Sequence, residues 1–320
     1  MTDSTMEQIR QLARASVRRV VLAEPQDPRV IEAAETLVDQ QLAKVILIGA
    51  DIRSPHQSIT VIDPDNPPNS EQLATCLFEK RLQKGMTFDQ AKVAIRDPLF
   101  CAGLLVATGQ ADAVVAGSIA TTADVIRAGL QTIGTPPGRR LVSSFFLMEL
   151  VGGRVVTFAD CAVVPQPDAG QLAEIAVTAA ANHQRLTGEQ PRVAMLSFST
   201  RGSASHADVD KVRTAVALAK QLDSQLLIDG EMQFDAAFDP SVAKRKAPES
   251  SVAGQANVFI FPNLDAGNIG YKITQRIGGA KAIGPIVQGL TRPYMDLSRG
   301  CTPEEIADVA TIAAVMAAEY

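Results

Sequence analysis

Runs of continuous apolar, β-favouring residues alternate with stretches whose apolar residues recur at helical spacing. VRRVVLAEP, from Val17, is a short hydrophobic run that stops at Glu24-Pro25. The next stretch, Arg29 to Gln41, places Val30, Ala33, Ala34, Leu37 and Val38 on one helical face. AKVILIGA is then apolar, apart from Lys44, as far as Gly49. Strand, helix, strand with near-continuous apolar strands implies a sheet covered on both faces. The unit recurs: Ala91 to Thr108 reads as one helix, ADAVVAGSIAT as strand and loop, and Thr122 to Leu130 as a helix. Further on, RVAMLSF (strand), the loop STRGSASHAD, a helix from Val209 to Leu222, LLIDG (strand) and NVFIFPNLDAGN (strand plus loop) repeat the pattern. The fold class is α/β with mostly parallel strands. Its small, polar loops follow the strands at their carboxyl ends, where open α/β sheets bind ligands.

The segment Ile133–Arg140, IGTPPGRR, pairs two prolines with flanking glycines and reads as a hinge, with a second domain starting near Leu141. With 320 residues there is chain for one large or two ordinary domains. Aromatics make up 4% and Trp is absent, so the core must be built from Ala, Val, Leu and Ile. A net charge of −5 argues against nucleic acid as a partner. It leaves room for a small anion held by a few converging arginines. Cys76, Cys101, Cys161 and Cys301 form no CxxC pair, and His56, His183 and His206 form no ligand cluster. No disulfide framework, metal site, signal peptide or membrane span is expected, and the expected compartment is the cytoplasm. GxxxxGK[ST], GxGxxG after the first strand, HExxH and GxSxG are all absent.

The segment richest in chemistry is MDLSRGCTPEEIADVATIAAVMAA. Thr302 suits an N-cap, Pro303 the first helical position, and Glu305 completes a capping box. Ser298, Arg299 and Gly300 precede it, placing a hydroxyl and a guanidinium beside a positive helix end, a place suited to phosphate. A solvated arginine ahead of a well-capped helix is the plain alternative. Arg81, Arg127 and Arg276 each adjoin small-residue loops; singly they read as surface residues, together as contacts to a substrate with several phosphates. Asp229 and Glu231, at a strand end, read as structural, with cation binding or orientation of a base as the other use. Cys161 and Cys301 read as buried thiols, with a nucleophile as the alternative.

These segments together resemble the phosphate acetyltransferase (phosphotransacetylase) family and its phosphate butyryltransferase relatives. The resemblance is carried by AGLLVATGQADAVVAGSIATTADVIRAGLQ, SSFF, FADC, AMLSFSTRGSA, DGEMQFDAA, NVFIFPNLDAGNIGYKITQRI, GPIVQGL and DLSRGC, in the family's order. It runs from about Val20 to near the C-terminus and is closer to the acetyl enzymes. It implies two α/β domains flanking a cleft, like the isocitrate and isopropylmalate dehydrogenases. The expected domains are 1–138 with 287–320, and 139–286. It further implies reversible acetyl transfer between acetyl phosphate and coenzyme A, giving acetyl-CoA and phosphate. Coenzyme A is then a substrate, no cofactor is tightly bound, and the enzyme is a homodimer.

By that resemblance Ser298 orients the thiol or the carbonyl, and Arg299 holds the phosphate or polarises the carbonyl. The family's general-base aspartate falls on Glu305, one methylene longer, which also has its capping role. Arg81, Arg127 and Arg276 match the family's coenzyme-contacting arginines, and the loop with Ser199, Thr200 and Ser203 lines the site. Competing readings are transfer of a longer acyl chain, a silent acetyl-CoA-binding regulator, which would be expected to lack the Ser-Arg pair, and a dehydrogenase, whose metal-binding aspartates are not found.

Overall fold

A computed structural model of the chain describes residues 5–50, 52, 56–139 and 141–319. Arg140, at the end of the hinge segment read from the sequence, lies outside the described residues. The chain forms two compact units, residues 1–138 with 290–320, and residues 139–289.

The first unit runs α1 (Thr5–Ala15), β1 (Arg18–Leu22), α2 (Pro28–Asp39), β2 (Ala43–Ile48), β3 (Thr60–Ile62), α3 (Ser70–Arg81), α4 (Phe88–Ala94), α5 (Pro98–Ala107), β4 (Ala113–Ala116) and α6 (Thr122–Thr132). The second holds β5 (Ser143–Glu149), β6 (Val155–Ala159), α7 (Ala169–Thr187), β7 (Arg192–Leu196), α8 (Ala207–Leu222), β8 (Leu227–Met232), α9 (Phe234–Phe238), α10 (Pro240–Lys246), β9 (Val258–Ile260), α11 (Leu264–Arg276) and β10 (Lys281–Gln288). The chain then returns to the first unit as β11 (Tyr294–Asp296) and α12 (Pro303–Met316).

The α/β class with mostly parallel strands is what the structure has. The first unit's sheet, ordered β11-β4-β1-β2-β3, is parallel throughout. The second, ordered β10-β5-β6-β9-β7-β8, is parallel from β6 to β8 but antiparallel at β10-β5-β6. Adjacent β5 and β6 are joined by a short turn containing Gly152 and Gly153, both with positive φ. A tight hairpin forces antiparallel pairing, because a parallel crossover needs a dozen or more residues.

The single helix expected from Ala91 to Thr108 is two. Asp97 interrupts it: its carboxylate accepts from the backbone N–H of Leu99 and Phe100, and Pro98 occupies the first turn of α5. A proline cannot continue α4, but it suits the start of a new helix.

Helix α12 is buried along its whole length from Ile306 to Met316 and packs on α1, α2, β1 and β4. Ala307, Ala310, Ala313 and Ala314 let it approach its neighbours closely. Asp308, buried within it, pairs with Arg10 of α1 at 2.8 Å. The turn ahead of α12 is therefore anchored to the unit's core.

Candidate active site

Register alone brings three strand ends together. Leu22 of β1 and Met295 of β11 both pair with Val115 of β4. Two residues further on, Glu24, Gly117 and Leu297 leave the sheet side by side, and Ser298 follows. Gly117 has φ +103, and a Cβ there would lie 2.5 Å from Asp296 Oδ1 and 2.7 Å from the Leu297 nitrogen. Only glycine permits this approach.

Glu24 is buried, yet fully partnered. Its Oε2 accepts from the N–H of Gly117 (2.6 Å) and Ser118 (2.8 Å), and its Oε1 from Ile119 (3.3 Å) and Ala120 (2.6 Å). Converging backbone N–H groups of this kind form an anion-binding concavity. Here a side chain of the protein fills it, so this turn's N–H groups are already occupied.

The β11–α12 turn is held by a residue the sequence reading did not single out. Arg29 Nη1 donates to the carbonyls of Arg299 (2.9 Å) and Cys301 (2.8 Å), while Nη2 reaches the carbonyl of Ser118 (3.2 Å). Arg29 Nε and Nη2 also grip Asp27, the N-cap of α2. The Arg29 hydrogen bonds hold the Asp27 carboxyl below its ordinary range. One planar guanidinium thus joins three turns, which a lysine ammonium does not reproduce.

On that turn, Ser298 and Arg299 are exposed. Ser298 Oγ accepts from the Gly300 N–H at 3.3 Å, and Ser298 O from the Cys301 N–H at 3.0 Å. The Arg299 guanidinium makes no hydrogen bond or ion pair among the described residues. The capping box is present: Thr302 N–H donates to Glu305 Oε2 (2.9 Å), and Glu305 N–H to Thr302 Oγ1 (3.2 Å). Glu305 is exposed, and no hydrogen bond engages its Oε1 among the described residues.

The remaining candidates lie apart from this turn in sequence. Arg127 is exposed on α6 and pairs with Asp124 at 2.6 Å. The Thr121 hydroxyl, then Arg127, keep the Asp124 carboxyl below its ordinary range. Arg81 ends α3 and is half-buried. In the second unit, exposed Arg276 ends α11. Ser199 and Thr200 are buried and brace their own loop. Ser199 Oγ donates to Glu231 Oε1 (2.9 Å), Gly202 N–H donates to the same oxygen (2.7 Å), and Gln233 N–H donates to Thr200 Oγ1 (2.9 Å). Ser203 is exposed, and its Oγ accepts from the Thr200 N–H at 3.0 Å. Asp229 pairs with Arg201. Both acids of β8 thus contact the 199–202 loop.

Neither buried thiol is poised to attack. Burial pushes the Cys161 thiol well above its ordinary pKa and raises that of Cys301. Low thiolate content makes a poor nucleophile. Among the described residues, no group of three His, Cys, Asp or Glu is arranged to hold a metal ion. No helix among them is long and apolar enough to cross a membrane.

An all-parallel sheet whose carboxyl edge presents an exposed hydroxyl and guanidinium on one turn, with a carboxylate in the first turn of the helix that follows, is an arrangement suited to an α/β enzyme with an anionic substrate. The model of the phosphate acetyl/butaryl transferase family matches residues 4–314. A phosphate acetyltransferase of Acetivibrio thermocellus is 47% identical over 326 aligned positions, covering 98% of each chain. One of Paracoccus denitrificans is 46% identical, covering 97% of this chain and 98% of its own. A phosphotransacetylase of Streptococcus pyogenes superposes with a TM-score of 0.93 at 40% identity, over 99% of this chain and 98% of that one. The chain belongs to the phosphate acetyl/butaryl transferase family.

Proposed function

We propose that the protein is a phosphate acetyltransferase, moving an acetyl group reversibly between acetyl phosphate and coenzyme A. The observation that carries this reading is the Ser298–Arg299 turn: an exposed hydroxyl and an unpaired guanidinium beside a helix N-terminus, clamped through Arg29. Relatives named phosphate acetyltransferase at 46% and 47% identity over nearly their full length support the acetyl assignment.

In the forward direction the thiol sulfur of coenzyme A bonds to the acetyl carbon, and the carbon–oxygen bond to phosphate breaks. The thiol's proton leaves to a base. Glu305 is that base in this account, through Oε1, while Oε2 stays on the Thr302 N–H. Arg299 neutralises charge building on the carbonyl oxygen and the departing phosphate, a stabilisation that grows in the transition state. Ser298 orients the reacting thiol or carbonyl. Arg81, Arg127 and Arg276 are assigned to the phosphates of coenzyme A, and the Ser199–Ser203 loop to lining its site. Holding both substrates together removes much of the entropic barrier, so no covalent intermediate is needed. Coenzyme A leaves each cycle as substrate or product, and no tightly bound cofactor enters.

The test is thioester formation from coenzyme A with acetyl, propionyl and butyryl phosphate in parallel. Highest kcat/KM with acetyl phosphate supports the reading. A preference for butyryl phosphate replaces it with longer-chain transfer, and no turnover with any of the three overturns it.

A further inference from the structure

Glu24 leaves the end of β1, and the 117–120 turn it fills leaves the end of β4 and leads into α6 through the N-cap Thr121. Both oxygens of the buried carboxylate accept from two backbone N–H groups each, and the Ser118 hydroxyl adds a further bond to Oε2 at 3.3 Å. Converging N–H dipoles repel one another, so a turn of this shape needs a negative charge at its centre. Glu24 supplies that charge from within the chain, and the turn is set before any substrate arrives. What the turn then holds is the catalytic edge. The Leu297 N–H donates to the Ala116 carbonyl at 2.8 Å, which joins the end of β11 to the start of the turn. The Ser118 carbonyl accepts from Arg29 Nη2 at 3.2 Å, and Arg29 Nη1 in turn holds the carbonyls of Arg299 and Cys301.

We propose that Glu24 is a positioning residue for acetyl transfer: its carboxylate locks the 117–120 turn, and that turn aims Arg29 at the backbone of the Ser298–Arg299 turn. This rests on reading the Ser298–Arg299 turn as the transfer site. Glu24 meets no reacting atom in this account, and its whole effect passes through backbone groups. Two consequences separate it from a residue that merely fills space. An uncharged side chain of the same shape does not replace it. In Glu24→Gln the amide oxygen still accepts from one pair of N–H groups, but the amide NH2 faces the other pair, donor against donor. Removing the side chain, by contrast, leaves a cradle of N–H groups matched to a small carboxylate. Formate is the head group of the missing side chain and fits the vacated place. A substrate phosphate finds these N–H groups occupied in the wild type, which leaves its charge to arginine side chains such as Arg299.

The experiment measures kcat, KM and melting temperature for the wild type, Glu24→Gln, Glu24→Ala, Arg29→Ala, the double variant Glu24→Gln with Arg29→Ala, and Arg299→Ala. Rates are read well below each melting temperature, where every molecule is folded and a purely structural brace leaves kcat unchanged. Glu24→Ala is assayed with sodium formate and, as a control, with sodium chloride at equal ionic strength. Glu24→Gln and Glu24→Ala should each lose about tenfold or more in kcat. Formate should restore kcat in Glu24→Ala with saturation, and should do nothing for Glu24→Gln, whose amide occupies the turn. The double variant should lose far less than the product of the two single losses, because both side chains act on the same backbone. Wild-type kcat in folded Glu24→Gln overturns the proposal, as does a double variant that shows the full product. Folded Glu24→Ala that formate does not restore overturns it too; if that variant fails to fold, Glu24→Gln and the double variant decide. Failure of both Glu24 variants to fold makes the carboxylate a structural brace and ends the proposal. If Arg299→Ala keeps wild-type turnover, the reading of the transfer site falls. Lost turnover there beside wild-type kcat in Glu24→Gln removes Glu24 alone.

Discussion

Arg29 Nη1 donates to the backbone carbonyl of Arg299 at 2.9 Å, although 270 residues separate them in the chain. The side chain assigned to transition-state charge therefore takes its place from a guanidinium on another helix. Arg29→Lys keeps the charge but loses the fork that reaches Asp27, Ser118 and the 299–301 turn together. We expect kcat to fall about ten- to a hundredfold in Arg29→Ala, with partial return on adding free guanidinium. Steady-state kinetics with and without guanidinium check this; wild-type kcat in Arg29→Ala removes the clamp from the account.

Glu305 has two roles that substitution separates. Glu305→Gln keeps an oxygen for the Thr302 N–H but cannot take a proton. It should melt close to wild type and lose most of its kcat. Thr302→Ala should do the reverse, losing about 1 kcal/mol of stability while keeping more of its kcat than Glu305→Gln. Full activity in Glu305→Gln would assign the proton to another group.

The absence of an acyl-enzyme is testable without coenzyme A. If Cys161 and Cys301 are bystanders, labelled phosphate will not exchange into acetyl phosphate until coenzyme A is added. Exchange with enzyme and acetyl phosphate alone would reveal a covalent intermediate and sink direct transfer.

His183 sets a pH response in stability. It is fully buried on α7, its Nδ1 shares a hydrogen bond with Thr157 Oγ1 at 2.9 Å, and its Nε2 makes no hydrogen bond among the described residues, with Glu189 Oε2 4.0 Å away. Burial lowers its pKa from 6.5 to about 4. The unfolded chain therefore binds a proton below pH 6.5 that the folded chain refuses until about pH 4. Stability contributed by the neutral ring is present above pH 6.5 and is lost as pH falls toward 4, by an amount on the order of 3 kcal/mol. Urea melts across that window should show the loss in the wild type and a flatter dependence in His183→Gln. Parallel slopes in the two proteins would remove His183 as the cause.

Local chemistry was legible in the sequence, and distant partnership was not. The capping box at Thr302 and Glu305 follows from four consecutive residues, and α2 and α8 follow from their period. The break at Asp97-Pro98 was legible too, since Asp27-Pro28 and Asp239-Pro240 start helices in the same way. The continuous apolar period across 91–108 masked it. Antiparallel β5 and β6 read no differently from parallel strands, because both are buried on two faces. Arg29 and Glu24 were not legible as parts of the site. Apart from Asp27, two residues from Arg29, their partners are backbone groups of distant turns brought together only by strand register.

The most direct measurement is the initial rate of acetyl-CoA formation from acetyl phosphate and coenzyme A by the wild type and by Arg299→Ala, with both melting temperatures recorded. The account predicts coenzyme-dependent turnover in the wild type, and a loss of roughly a hundredfold or more in kcat for a variant that folds normally. Equal rates in the two proteins would contradict it.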